Sequence, residues 1–156
     1  MRILPLAAAP VSLLLSGCIA ASASLHAGHG PAAADGRQEV AFPEPMRTHT
    51  LASMRDHLAA LQEIQGSLAG GDYDGAARVA EERLGMTSLK AHGAHDVAPF
   101  MPEGMQAVGT AMHRSASRFA VKAANAGATG DARKAIGALA EVTAQCVACH
   151  ATYRMK

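Results

Sequence analysis

Between residues 45 and 154 the apolar side chains recur three and four positions apart, which is the spacing of an α-helix. Glycine, proline and aspartate interrupt this pattern at the points where helices begin or end. The pattern predicts helices over about 45–69, 73–84, 103–126 and 132–154, and a loop over 86–102. No segment alternates with a period of two for long, so we expect no sheet. Four helices with mostly short connections predict an all-α fold, an antiparallel four-helix bundle.

The last predicted helix contains the sequence Cys146-Val147-Ala148-Cys149-His150. This spacing is the attachment signature of c-type haem, in which the two thiols bond to the vinyl groups of the porphyrin and the adjacent imidazole ligates the iron. A thioredoxin-like redox pair would instead need a βαβ pattern, which the sequence does not show. We therefore expect one covalent haem c, with His150 as the proximal iron ligand.

Helical periodicity predicts which side chains face the interior. In the last helix Cys146, His150 and Tyr153 share the apolar stripe, with Cys149 at its edge, so we expect the attachment residues to face inward. His113 lies on the flank of the third helix and is expected to be solvated. The apolar stripe of the first helix consists of Leu51, Met54, Leu58, Leu61 and Leu68.

The N-terminal segment has the features of an export signal. Arg2 precedes an apolar run over residues 3–15, which is too short to span a membrane and is typical of a signal peptide. The run ends in Leu15-Ser16-Gly17-Cys18, which resembles a bacterial lipoprotein box in which Cys18 is lipid-modified. Ordinary cleavage after Ala21-Ser22-Ala23 is the alternative. Because haem takes two of the three cysteines, the remaining Cys18 favours lipidation.

These features predict a signal peptide over 1–17, a flexible tether over 18–44 and a cytochrome domain over 45–156. Acyl chains on Cys18 would hold the exported, periplasmic protein at a membrane. Ile19, rather than aspartate, after that cysteine favours the outer membrane. The 14 basic and 13 acidic side chains give a net charge of +1 with no basic stripe, which argues against nucleic acid as a partner.

The chain resembles the class II c-type cytochromes, the cytochrome c-prime family and its methionine-ligated low-spin relatives. The resemblance covers about residues 45–155 and rests on the C-terminal position of the haem motif, on Arg154 four residues after His150, and on the turn Gly71-Asp72-Tyr73. It implies a four-helix bundle, one covalent haem beside the last helix, and a homodimer. It also implies that Arg154 and Tyr153 lie beside the haem.

In this family the first helix supplies the distal side of the haem. Counting back from the Gly71-Asp72-Tyr73 turn places Met54 at the distal position, and Met54 also lies near the centre of the apolar stripe of that helix. A thioether ligand raises the potential of haem iron. His57, one turn later, is an alternative ligand, and an open distal site is another. Thr50 stands one turn before Met54, where the family often has a basic residue, so a register shifted by one helical turn is an alternative.

A haem with both axial positions filled predicts an electron carrier that works with redox partner proteins, not an enzyme. With an open distal site, the chain would instead bind nitric oxide or carbon monoxide. A third reading is a periplasmic copper- or zinc-binding protein, because His92 and His95 lie in the 86–102 loop near Met86 and Met101. His26 and His29 in the tether add to the histidine content, although exposed polar residues explain such positions equally well.

Overall fold

The computed structural model describes residues 34–156. The predicted signal peptide, the predicted lipid position Cys18 and the histidines His26 and His29 of the predicted tether lie outside the described residues. The described chain is mostly helical, which confirms the all-α fold class. Its α-helices are α1 Glu44–Ala69, α2 Tyr73–Arg83, α3 Ala94–Val97, α4 Glu103–Thr129 and α5 Ala132–Thr152. Among the described residues, no helix combines the length and the apolar character needed to cross a membrane.

Local sequence signals explain where the long helices begin and end. Gly71, which follows α1, has a φ of 77°, a left-handed conformation that glycine adopts without strain. The side chain of Asp72 accepts a hydrogen bond of 2.9 Å from the backbone N–H of Gly75 and so caps α2. Asp131 caps α5 by accepting a hydrogen bond from the backbone N–H of Arg133. These boundaries agree with the helical segments predicted from the sequence.

The core is built from small side chains around α4. This helix packs against α2 and α5, while α1 packs against α2. Phe119 of α4 and Ile64 of α1 are its largest fully buried residues. Many of the other buried residues are alanines, which let the helix backbones approach closely. The alanines with no exposed surface are Ala60, Ala76, Ala80, Ala116, Ala123 and Ala135.

The expectation of no sheet is wrong, because two short strands pair in parallel. Strand β1, Gln38–Val40, lies beside β2, Tyr153–Met155, with Gln38 opposite Tyr153 and Val40 opposite Met155. Three residues are too few to show a period of two, so the pattern could not reveal these strands. Val40 is only 3% exposed. The tether, expected over 18–44, is therefore shorter than predicted at its C-terminal end.

Helix α1 presents a different face to the core from the one predicted. Its buried residues are Thr50, His57, Ala60 and Ile64, whereas Leu58 is 69% exposed. The predicted stripe assumed that every leucine faces inward. Instead, α1 buries Ala60 and Ile64 in the core and places His57 beside another imidazole.

The segment over 86–102, expected to be a loop, contains short helical turns. A 3₁₀ turn runs over Met86–Lys90, α3 follows at Ala94–Val97, and another 3₁₀ turn covers Ala98–Phe100. Gly93, with a φ of 59°, makes the left-handed turn that starts α3. This segment connects α2 to α4 and carries His92 to the interior.

Candidate haem site and histidine–methionine cavity

The two cysteines of the haem motif lie one turn apart on α5 and are both free thiols. Each is half-buried, and burial raises the pKa of both thiols. The Cys146 thiol donates a weak hydrogen bond of 3.6 Å to the carbonyl oxygen of Val142. Cys146 also packs against the core. The thiols are therefore held in place by the helix while part of each remains open to another group.

His150 is exposed, so the prediction that it faces the interior is wrong. It lies in the last turn of α5, which ends at Thr152. Its backbone carbonyl accepts a hydrogen bond of 3.2 Å from Nη1 of Arg37, in the segment before β1. Ile136, fourteen residues earlier on the same face of α5, is 56% exposed as well, so this face of the helix does not turn toward the core. Val147, between the two cysteines, is also 68% exposed.

Arg154 and Tyr153 lie in strand β2, not in a continuing helix. Nη2 of Arg154 pairs with Oε1 of Glu39 at 2.8 Å, and its Nε lies 3.6 Å from Oδ2 of Asp35. That Nε is buried and has no hydrogen-bond partner among the described residues. The hydroxyl of Tyr153 lies so close to Gly104 that any side chain there would collide with it. The placement of both residues beside a haem remains a prediction.

The residues at the end of α5 fit a covalent haem by their chemistry. Two free thiols three residues apart and an exposed imidazole in the next position form the donor set that the group requires. Exposed apolar surface at Val147 is the kind of surface that a porphyrin would cover. The guanidinium of Arg154 is already engaged with protein carboxylates through Nη2 and Nε, so its contact with a haem propionate remains a prediction.

A separate cavity of about 180 Å³ lies between α1, the 86–102 segment and α4. Met54 lines it together with three other methionines and three histidines. No residue of α5 lines this cavity, so the structure does not bring Met54 and the haem motif together around it. The iron ligation by Met54 therefore stays a prediction.

Three imidazoles meet at the cavity, although they are far apart in the sequence. The ring centroids of His57 and His92 lie 4.6 Å apart, those of His92 and His113 lie 5.4 Å apart, and those of His57 and His113 lie 6.0 Å apart. His113 is only 8% exposed, so its predicted solvated position is wrong. The side chain of His95 is fully exposed, so it does not pair with His92 in a shared site.

Hydrogen bonds fix the orientation of these rings. Nδ1 of His113 lies 2.7 Å from the carbonyl oxygen of Leu84, and since a carbonyl only accepts, this nitrogen carries the proton. The Ser88 hydroxyl donates to the carbonyl oxygen of Gly85, which leaves its oxygen to accept from Nδ1 of His92 at 3.3 Å. Nε2 of His57 then accepts from the same Nδ1 at 3.5 Å. In this arrangement Nε2 is unprotonated in all three imidazoles, and that of His57 is already engaged as the acceptor of the His92 N–H.

The cavity imidazoles are neutral at pH 7. Burial, then the neighbouring His92 and His113, lower the pKa of His57 to about 4. Burial also lowers the pKa of His92 and of His113. The partial charges of nearby backbone carbonyls oppose this effect at His113 but do not reverse it. The cavity therefore offers neutral nitrogen donors.

Sequence reasoning named most of the cavity residues but did not group them. Met54 and His57 are three residues apart on α1, and Met112 and His113 are neighbours on α4. Each pair places a thioether near an imidazole on one helix. This shared pattern is the sequence signal that could have grouped the two helices into one site. Their convergence with His92 depends on the path of the 86–102 segment, which has no periodic pattern to predict it.

No protein-family model matches this chain, and no match was found among the curated proteins or the solved structures compared with it. The resemblance to class II cytochromes therefore rests on the residues of the chain itself.

Proposed function

We propose that this chain is a monohaem c-type cytochrome with a four-helix-bundle fold, and that it carries single electrons outside the cytoplasm. The observation that supports this most is the end of α5, where two free thiols one turn apart are followed by an exposed imidazole. The attachment signature needs these three residues in this order. Class II cytochromes carry the motif at this C-terminal position.

In this proposal each residue of the motif has one task. Cys146 and Cys149 anchor the haem covalently, so the group is kept when the protein is dilute. His150 ligates the iron from the proximal side. The haem supplies exchange of one electron between the ferric and ferrous states, and the protein tunes its potential through the ligands and the surrounding dielectric.

The fold supports this task by fixing the end of α5. Cys146 packs against the core, and the pairing of β1 with β2 ties the residues after His150 to the N-terminal segment. The ion pair of Arg154 with Glu39 adds to this connection. A ligand helix held at both ends reorganises little when the iron changes charge, which favours electron transfer.

The exposure of this region favours exchange with a partner protein. His150 and Val147 lie at the surface, so a haem attached here has one side that a redox partner protein can approach. We propose Met54 as the distal ligand, as the resemblance implies. The lipid anchor at Cys18 would keep the carrier at a membrane, and a homodimer follows from the resemblance alone.

The test is expression of Cys146→Ala/Cys149→Ala in a bacterial host that matures c-type cytochromes. The parent chain should retain haem stain after denaturing electrophoresis, because thioether bonds survive denaturation, whereas the double variant should lose all of it. Cys18→Ser is the matched control, since it removes the third cysteine and should keep the stain. Equal staining of the double variant, or none in the parent, would overturn the proposal.

A further inference from the structure

We infer that the histidine–methionine cavity is a second metal site, distinct from the haem motif, and that it binds one Cu(I) ion through imidazole and thioether groups. The ligands are Nε2 of His92 and of His113 together with the sulfur atoms of Met105 and Met112, while His57 accepts a hydrogen bond from Nδ1 of His92 and so orients that ring. Met54 also lines the cavity but is not required, so the inference does not depend on which metal Met54 ligates.

The donors are buried around one small space. His57, His113, Met105 and Met112 are each 7–8% exposed. Nε2 of His57 and Nδ1 of His92 are 3.5 Å apart, and the centroids of the three rings lie within 6.0 Å of one another. A cavity of about 180 Å³ is below the ~300–1,000 Å³ of pockets that hold organic ligands. It suits an ion better than a porphyrin.

The chemistry of the lining selects the ion. The cavity is lined by four methionines and three histidines, and by no carboxylate. Thioethers are soft ligands that suit Cu(I), whereas calcium and magnesium require oxygen donors. A divalent ion would also bring two charges into a buried space with no carboxylate to balance them. A single charge on Cu(I) costs less to bury.

The geometry also argues against a zinc site. Among the described residues, no three histidine, cysteine, aspartate or glutamate side chains are arranged as a ready metal site. A structural zinc site needs four such donors in a closed tetrahedron. In this cavity methionine sulfur atoms would supply part of the coordination. Zinc rarely binds methionine sulfur, whereas Cu(I) binds it readily.

A supporting shell of hydrogen bonds is already in place. The histidines that bind metals in proteins donate their other N–H to a carbonyl, carboxylate or water, which fixes the ring. His113 does this through the carbonyl oxygen of Leu84, and His92 through the hydroxyl oxygen of Ser88. These hydrogen bonds place the proton of each ring on Nδ1, which leaves Nε2 available to a metal ion.

The experiment measures copper and iron in the same sample. The full chain, matured with haem, is held anaerobically under excess ascorbate and loaded with Cu(I). It is then dialysed against increasing concentrations of a Cu(I) chelator, and both metals are counted by atomic emission. The parent should retain one copper per chain. His92→Gln and Met105→Leu/Met112→Leu should weaken retention by about tenfold or more.

Matched controls come from the same segment of the chain. His95→Gln removes an exposed histidine three residues from His92, and Met86→Leu removes a methionine outside the cavity. Both should bind copper like the parent. Replacing methionine by leucine conserves volume, so the paired sulfur variant keeps its packing, and the helical circular dichroism of each variant checks its fold.

The outcomes separate this inference from the haem proposal. No copper in the parent, or equal retention in the cavity variants and their controls, would overturn the copper site whatever the iron content. A changed haem spectrum in His92→Gln would assign that imidazole to iron and would also overturn it. Copper retained by a parent that lacks iron would instead remove the haem proposal alone.

Discussion

The chain places its histidines in two contrasting settings. His150, at the end of α5, is exposed and follows two half-buried thiols. His57, His92 and His113 converge inside a cavity and are neutral because burial disfavours their charged form. An exposed imidazole beside thiols suits a large group that is added covalently from outside. Buried neutral imidazoles among thioethers suit a small soft cation.

The two settings are also supported differently. The end of α5 is held by elements distant in sequence, through strand β1, Arg37 and Glu39. The cavity rings are held by hydrogen bonds to the turn that follows α2, at Leu84 and Ser88. A change in one region should therefore leave the other intact, unless Met54 joins them by ligating the haem iron.

The largest effect is expected from Met54→Leu, which tests whether the two regions share one iron. Leucine has nearly the volume of methionine but no ligand atom. If the thioether ligates the haem, the ferric iron should change from low spin to high spin, and the charge-transfer band of the sulfur–iron bond should disappear. Visible and near-infrared absorption of the oxidised protein measures both.

Met86→Leu is the control for that measurement, because Met86 lies outside the cavity and is 38% exposed. Its spectrum should match that of the parent. A low-spin spectrum in Met54→Leu would contradict ligation by Met54 and leave His57 as the remaining candidate. A high-spin spectrum in the parent itself would favour an open site that binds nitric oxide or carbon monoxide.

A smaller effect is expected from pH on stability, because the cavity histidines are neutral when folded. The pKa of His57 is about 4 in the folded chain, against 6.5 without burial. Between pH 4 and pH 6.5, unfolding therefore takes up a proton at His57. The stability of the folded chain that is present above pH 6.5 is lost as the pH falls toward 4. This one group accounts for up to ~3 kcal/mol. Urea unfolding across this range measures the loss.

His57→Gln tests the origin of that pH dependence. It should reduce the slope of unfolding free energy against pH by about one proton, while His92 and His113 keep a remaining slope of the same sign. Arg83 lowers the pKa of the neighbouring Asp56, so the contribution of that carboxylate is lost only at more acidic pH. An unchanged slope in His57→Gln would show that this imidazole is not buried as described.

The smallest effect is expected from Arg154→Ala, which weakens the support of α5. Its guanidinium is 34% exposed and pairs with Glu39 and Asp35. Exposed or partly exposed ion pairs contribute about 1 kcal/mol or less. The variant should lose that amount in urea unfolding and keep its haem. Loss of the haem spectrum would show instead that Arg154 is essential at the haem, as the resemblance implies.

Much of the fold was predictable because short local sequence signals determine where the helices begin and end. The glycine turn after α1 and the aspartate caps of α2 and α5 act within a few residues of the chain. The haem motif is equally local, since its donors lie within five residues.

The rest depends on contacts between distant segments. Helix α1 exposes Leu58 and buries His57, whose ring centroid lies 4.6 Å from that of His92 in a segment without periodicity. His150 lies on a face of α5 that is already exposed at Ile136, and the residues after the helix pair with β1. The helical periodicity of the sequence does not indicate the buried face of α1 or the exposure of His150.

The most direct test of the account is the absorption spectrum of the purified chain with and without reductant, after maturation in a host that attaches c-type haem. The account predicts a coloured protein with one iron per chain, sharp reduced bands of a c-type haem, and haem that resists extraction by acidified organic solvent. Colourless protein, or haem that is fully extracted, would contradict it.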